Sequence, residues 1–199
     1  SDRRDARIAM LDGTRERLAP TLTGYAELDL YGEWFNTDDH GWVWRPRTTV
    51  SGWAPYRHGR WVWRDACGWV WHADEPWGWI PYHYGRWVWH ARYRWCWVPV
   101  DVVHHVRRPV WAPAYVAFSY ADRGWSFSVS IGSGWSDTSC VGWFPLGPAD
   151  PLPRYSFWSI TYRHYAPRHR VRTHHVYQNQ YVHGAVSVVT KHHFVKGHY

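Results

Sequence analysis

Along residues 31–98, short stretches carry tryptophan at every second position, as in Trp61-Val62-Trp63 and Trp87-Val88-Trp89. That period sends both indoles of a triplet to one face of a strand and the valine to the other. The alternating stretches are short and punctuated by glycine. Arg57-His58-Gly59 and His83-Tyr84-Gly85 each precede a Trp-Val-Trp triplet, and a glycine there supplies the left-handed residue of a tight loop. Asp65 to Gly68 reads as the following turn, and Asp74-Glu75-Pro76 as a link to the next unit. The pattern predicts an all-β chain, a meander of short Trp-rich hairpins.

The hairpins repeat. Trp53, Trp61, Trp69 and Trp71 recur 26 residues later as Trp79, Trp87, Trp95 and Trp97, with GWAPYRHGRWVW matched by GWIPYHYGRWVW. An earlier partial copy runs from Trp34 through Trp42 and Trp44, about one residue out of step. Weaker echoes follow at Trp111-Ala112-Pro113 and Gly142-Trp143-Phe144-Pro145. Each copy is expected to form three strands, GWxPY, GRWVW and GWVW (or RWCWV), with one tryptophan-lined face. Arg45, Arg60, Arg64 and Arg86 stand beside that face and are expected to lie across indole rings.

Outside the repeat, Ile8, Leu11 and Leu18 fall near one helical face, which predicts a short N-terminal helix limited by Gly13 and Pro20. Residues 110–146 continue in β style, with Trp125-Ser126-Phe127-Ser128-Val129 alternating cleanly. The run LGPADPLP (146–153) is a linker or a corner, and Ala185–Thr190 is the one strand candidate beyond it. The organisation expected is an N-terminal helix and linker over 1–30, a Trp-repeat β-domain over 31–150, and an extended basic tail over 151–199.

Composition sharpens this picture. The 199 residues hold 19 Trp and 14 Tyr against 6 Phe, and 14 of those tryptophans lie between Trp34 and Trp97. Indoles at that density suit layered aromatic packing and binding surfaces better than an aliphatic core. The net charge of +7 sits entirely in the tail: beyond Asp150 there is no acidic residue, while Arg154, Arg163, Arg168, Arg170, Arg172, Lys191 and Lys196 are basic. Cys67, Cys96 and Cys140 form no CxxC, which removes the common zinc, thioredoxin and haem signatures. No disulfide is expected. No segment is long enough for a transmembrane helix, and strands of about five residues fall short of the roughly 9–11 a membrane barrel needs. The chain opens at Ser1 without a signal peptide, as a processed or partial product would.

Several candidate chemistries compete with plain structural roles. Asp38, Asp39, Asp65, Asp74, Glu75, Asp122 and Asp137 fall in predicted turns, where backbone geometry alone favours them. A glycosidase pair can be assembled from such turns, but no nucleophile motif supports one. Gly132-Ser133-Gly134 is not a nucleophile elbow. The 15 histidines include three adjacent pairs, which on a strand point to opposite faces and chelate poorly. No catalytic residue, metal site or cofactor is expected. The neutral repeat body argues against nucleic acid. Two binding readings remain. In one, an indole face of Trp53, Trp61, Trp79 and Trp87 with Tyr56 and Tyr82 holds cell-wall polysaccharide, which requires those indoles to be exposed in a row. In the other, aromatic surface and a basic tail carrying Arg163, Arg168, Arg170 and Arg172 dock a protein partner or another copy of the chain. Most of the indoles are expected to be core in either case, being too many to leave wet.

The motifs TGYAELDLYGEW, GWAPYRHGRWVW, EPWGWIPYHYGRWVW, VWAPAYVAF, VGWFPLGP and YVHGAVSVV together resemble an uncharacterised family of exported bacterial Trp-rich proteins. In that family the region often follows a FecR-like β-domain. The resemblance runs from about Arg3 to Lys196 and implies an extracytoplasmic location, with a further domain preceding this one. It implies no activity and no site residues. Cysteines inside the repeats and a His-rich tail depart from the pattern. The function expected is that of a non-catalytic structural or interaction subunit of a bacterial envelope or extracellular assembly, ahead of a polysaccharide- or peptidoglycan-binding module and of a glycan-active enzyme.

Overall fold

The Trp-Val-Trp triplets pair in antiparallel register, so that indole meets indole. In the computed structural model, which describes residues 28–47, 50–99, 110–120, 140–151 and 176–196, Trp61 stands opposite Trp71 and Trp63 opposite Trp69. Trp87 likewise opposes Trp97, and Trp89 opposes Trp95. Trp63–Trp69 and Trp89–Trp95 keep nearly the same edge-to-face geometry, with centroids 5.5 and 5.4 Å apart. On the reverse face Val62 meets Val70 and Val88 meets Cys96.

Twelve short elements follow one another along the described chain: α1 (Leu28–Tyr31), β1 (Gly32–Thr37), β2 (Gly41–Pro46), β3 (Gly59–Arg64), β4 (Gly68–Ala73), α2 (Trp79–His83), β5 (Arg86–His90), β6 (Arg94–Val98), β7 (Val116–Tyr120), β8 (Cys140–Pro145), β9 (Ser187–Thr190) and α3 (Lys191–Lys196). The hairpins do not form one continuous sheet. β1-β2-β6-β5 make a four-stranded sheet, β3-β4 stand apart as a pair, and β7-β8-β9 form a third sheet. The first and third copies join through Trp44 and Trp97, and the middle copy is displaced.

One packing device repeats in all three copies. The glycine that opens each hairpin lies under the indole from the far strand: a Cβ on Gly32, Gly59 or Gly85 would come within 2.1, 2.7 and 2.7 Å of Trp44, Trp71 and Trp97. The missing side chain makes room for the indole to lie over the backbone. The first copy, offset by one residue in the sequence, therefore keeps the same contact.

The three sheets turn their indoles inward onto one core, where Trp44, Trp61, Trp71, Trp87, Trp97 and Trp143 are all essentially fully buried. Residues 110–115 and 146 stitch the sheets together. Trp71 N donates to Pro113 O (3.1 Å), Leu146 N to Tyr115 O (2.9 Å) and Trp87 N to Leu146 O (3.0 Å).

The structure corrects three expectations. GWxPY is not a strand. Residues 79–83 form a single helical turn, while in the earlier copy Tyr56 sits in a left-handed conformation (φ +60°) with its hydroxyl donating to Tyr82 O at 2.8 Å. An extended tail from 151 onward does not hold for 176–196. That segment adds β9 to the sheet and buries Phe194 against Trp61, Trp69, Phe118 and Trp143, because the apolar run at 185–190 completes the open edge of β8. Of the arginines expected on indoles, Arg45 lies over Phe35 (4.8 Å) and Arg86 over Tyr115 (4.0 Å). Among the described residues an arginine does lie over an indole where Arg94 covers half-buried Trp89 (5.3 Å). Leu28 of α1 belongs to the core. The helix expected over residues 2–18 and the strand at 125–129 lie outside the described residues.

Candidate functional site

Six Trp-x-Pro elements occur in the described chain, and their tryptophans meet different fates: Trp44 and Trp97, at the ends of β2 and β6, are fully buried. Trp143 is buried, its indole N–H donating to Tyr56 O at 2.7 Å. Trp53 is half-buried, its N–H donating to Glu75 Oε1 at 3.0 Å. Trp79 and Trp111 are 56% and 39% exposed, and every other described tryptophan is buried or half-buried.

The two exposed indoles rest on the same residue. His83, at the end of α2, is 1% exposed. Its ring centroid lies 4.2 Å from that of Trp79 and 5.9 Å from that of Trp111, the latter tilted by only 19°. Nδ1 lies 2.9 Å from Ala112 O. A carbonyl only accepts, so the ring proton belongs on Nδ1. In return Ala112 N donates to His83 O at 3.0 Å. The paired bonds fix the segment bearing Trp111 to the turn bearing Trp79. Burial pushes the imidazole pKa down, the carbonyl of Ala112 opposes this, and nearby His72 lowers it further. The ring is a neutral, immobile base for the two indoles. Val110 is exposed beside Trp111 in the chain, and the Tyr115 hydroxyl holds its carbonyl at 2.6 Å.

A second cluster surrounds Glu75. Burial raises its pKa, and the Trp53 hydrogen bond works the other way. Glu75 Oε2 and the Tyr82 hydroxyl are both buried, close enough to interact electrostatically yet short of hydrogen-bond geometry. This carboxyl anchors the Trp53 indole.

The expected aromatic face is thus mostly interior. Trp61, Trp87, Tyr56 and Tyr82 are each at most 2% exposed. Their polar tips are partly served from within: Trp87 Nε1 donates to Pro81 O at 3.0 Å, and the Tyr56 hydroxyl accepts from Tyr115 N at 3.0 Å. A row of four exposed indoles does not exist here, because the hairpins face one another across the core. Trp79 alone of the six residues is exposed. Arg163, Arg168, Arg170 and Arg172 lie outside the described residues. Sequence reasoning missed Trp111, Val110 and His83. No local signal marks them: Trp143 also precedes no Trp-Val-Trp hairpin and is buried, whereas Trp79 precedes one and is exposed.

Among the described residues no group of three His, Cys, Asp or Glu side chains could hold a metal ion. Cys67 and Cys96 are free thiols. No helix of the described residues is long and apolar enough to cross a membrane. Residues 25–150 match a family of unknown function, DUF6600, and the chain belongs to it. No curated protein and no solved structure matches the chain.

Proposed function

We propose that this chain is a non-catalytic structural and interaction module of a bacterial cell envelope, acting outside the cytoplasm. The observation that carries the reading is the distribution of indoles. Among the described residues the tryptophans are buried or half-buried except Trp79 and Trp111, which both pack on His83. Exposed tryptophans held rigid at one point are suited to contact, since they lose little conformational freedom on binding. The resemblance to exported Trp-rich proteins supports the extracytoplasmic location and a FecR-like β-domain ahead of this one. In this reading Arg163, Arg168, Arg170 and Arg172 supply a second, electrostatic contact to a protein partner or another copy of the chain.

A polysaccharide-binding reading is favoured by the same indole pair, moved from the repeat face to Trp79 and Trp111. The test is co-sedimentation of the full chain with purified peptidoglycan sacculi, paired with light scattering of the chain alone and with solubilised envelope proteins. Self-association, or retention on one of these materials that W79A/W111A reduces, supports an interaction module. A monomer that binds none of them contradicts it.

A further inference from the structure

The Trp79–His83–Trp111 surface restricts what can occupy it. Two half-exposed indoles and Val110 offer on the order of 300 Å² of apolar area, against the roughly 800 Å² per partner of a stable protein interface. The patch is large enough for one or two small rings. The indole faces carry negative quadrupole potential and attract the polarised C–H bonds on the flat side of a sugar ring. A cation would also be drawn to such faces. However, His83 feels another histidine, His72, and among the causes acting on it there is no carboxylate, so nothing beside the ring itself favours a cationic ligand. His72 is exposed on β4 beside this site and provides a polar edge to which a hydroxyl can hydrogen-bond. The paired bonds between His83 and Ala112 hold the two indoles before any ligand arrives, which lowers the entropic cost of binding.

We propose that Trp79 and Trp111, seated on His83, form a platform for the apolar face of a neutral pyranose ring in an envelope polysaccharide. The proposal rests on the interaction reading above and names its ligand class. The experiment is isothermal titration calorimetry of the full chain with neutral tetrasaccharides of β-1,4-linked glucose and of β-1,4-linked N-acetylglucosamine, with choline as the cationic comparison. Binding of at least one tetrasaccharide is expected, weakened about tenfold or more by W79A and by W111A and largely retained in W79F and W111F, which keep an aromatic face. Both residues are exposed, so the variants should retain the wild-type circular dichroism spectrum. Three results would overturn the proposal: no heat with either tetrasaccharide, equal affinity in W79A and W111A, or binding of choline in preference to sugar. If sugars fail while envelope material is still captured through Trp79 and Trp111, the interaction reading stands and only the ligand class falls.

Discussion

Asn179 gives the sharpest test of whether the C-terminal segment is part of the fold. The residue is 1% exposed, and its side-chain nitrogen donates to Trp87 O at 2.8 Å and Pro145 O at 3.0 Å. It therefore ties β5 of the first sheet to the end of β8 in the third. Asn179→Ala removes two neutral hydrogen bonds worth about 1 kcal/mol each and strips a partner from two carbonyls, at about 1–3 kcal/mol where burial leaves one unsatisfied. A loss of about 2–4 kcal/mol is expected, a large share of the ~5–15 kcal/mol that holds a typical domain. Asn179→Asp has the same shape but turns a carboxylate on two carbonyl oxygens, so at neutral pH it should lose more than alanine. Urea titrations followed by circular dichroism should show a lowered midpoint with little change in slope. Asn179→Ala within about 0.5 kcal/mol of wild type, or Asn179→Asp as stable as wild type, would refute the docking of 176–196 onto the body.

Other positions isolate single effects. Gly85→Ala places a Cβ 2.4 Å from Val98 O and 2.7 Å from Trp97 Nε1 at φ +66°, and should cost about 2–4 kcal/mol from backbone strain plus overpacking. Gly52→Ala (φ +76°, open space) should lose only the backbone part; equal losses in thermal melts would discredit the glycine–indole contact. Because burial raises the Glu75 pKa, the folded state holds its proton more tightly than the unfolded chain. Its contribution to stability is therefore greatest in acid and is lost as pH rises from the unfolded through the folded pKa. Glu75→Gln keeps an acceptor for Trp53, so it should be more stable than wild type near pH 7 and lose that advantage towards about pH 4; a pH-independent difference would count against the buried acid. Burial pushes the Cys96 thiol up to about 12, so native protein treated with iodoacetamide near pH 8 should be labelled at half-buried Cys67 and spared at Cys96; early loss of the Cys96 peptide's mass would contradict its placement.

The sequence made the hairpins legible because period-two alternation and a glycine-ended loop are local signals. Trp61-Val62-Trp63 and Trp87-Val88-Trp89 pair as their text predicts. The GWxPY element reads as a strand because its Trp, Ile and Tyr favour strands, while its conformation is set elsewhere. Tyr56 and Tyr82 occupy equivalent positions, one left-handed and one helical, and the hydroxyl of the first is held by the carbonyl of the second. Exposure was less legible still. Trp53-Ala54-Pro55 and Trp111-Ala112-Pro113 are the same three letters. Only the tertiary arrangement gives Trp53 a carboxylate and leaves Trp111 on the surface. The apolar run at 185–190 was visible as a strand, but its partner β8 lies some 45 residues upstream in the chain, a pairing that alternation cannot specify.

The proposed interaction role depends on which indoles are open to solvent and which of those are covered on binding. Limited tryptophan oxidation, read peptide by peptide by mass spectrometry with and without bound envelope material, addresses both. Within the repeats and at residue 111, Trp79 and Trp111 should oxidise first and become protected on binding, while Trp61, Trp71, Trp87 and Trp97 stay unmodified throughout. Early oxidation of Trp61 or Trp87, or no protection of Trp79 and Trp111 in the bound state, would contradict it.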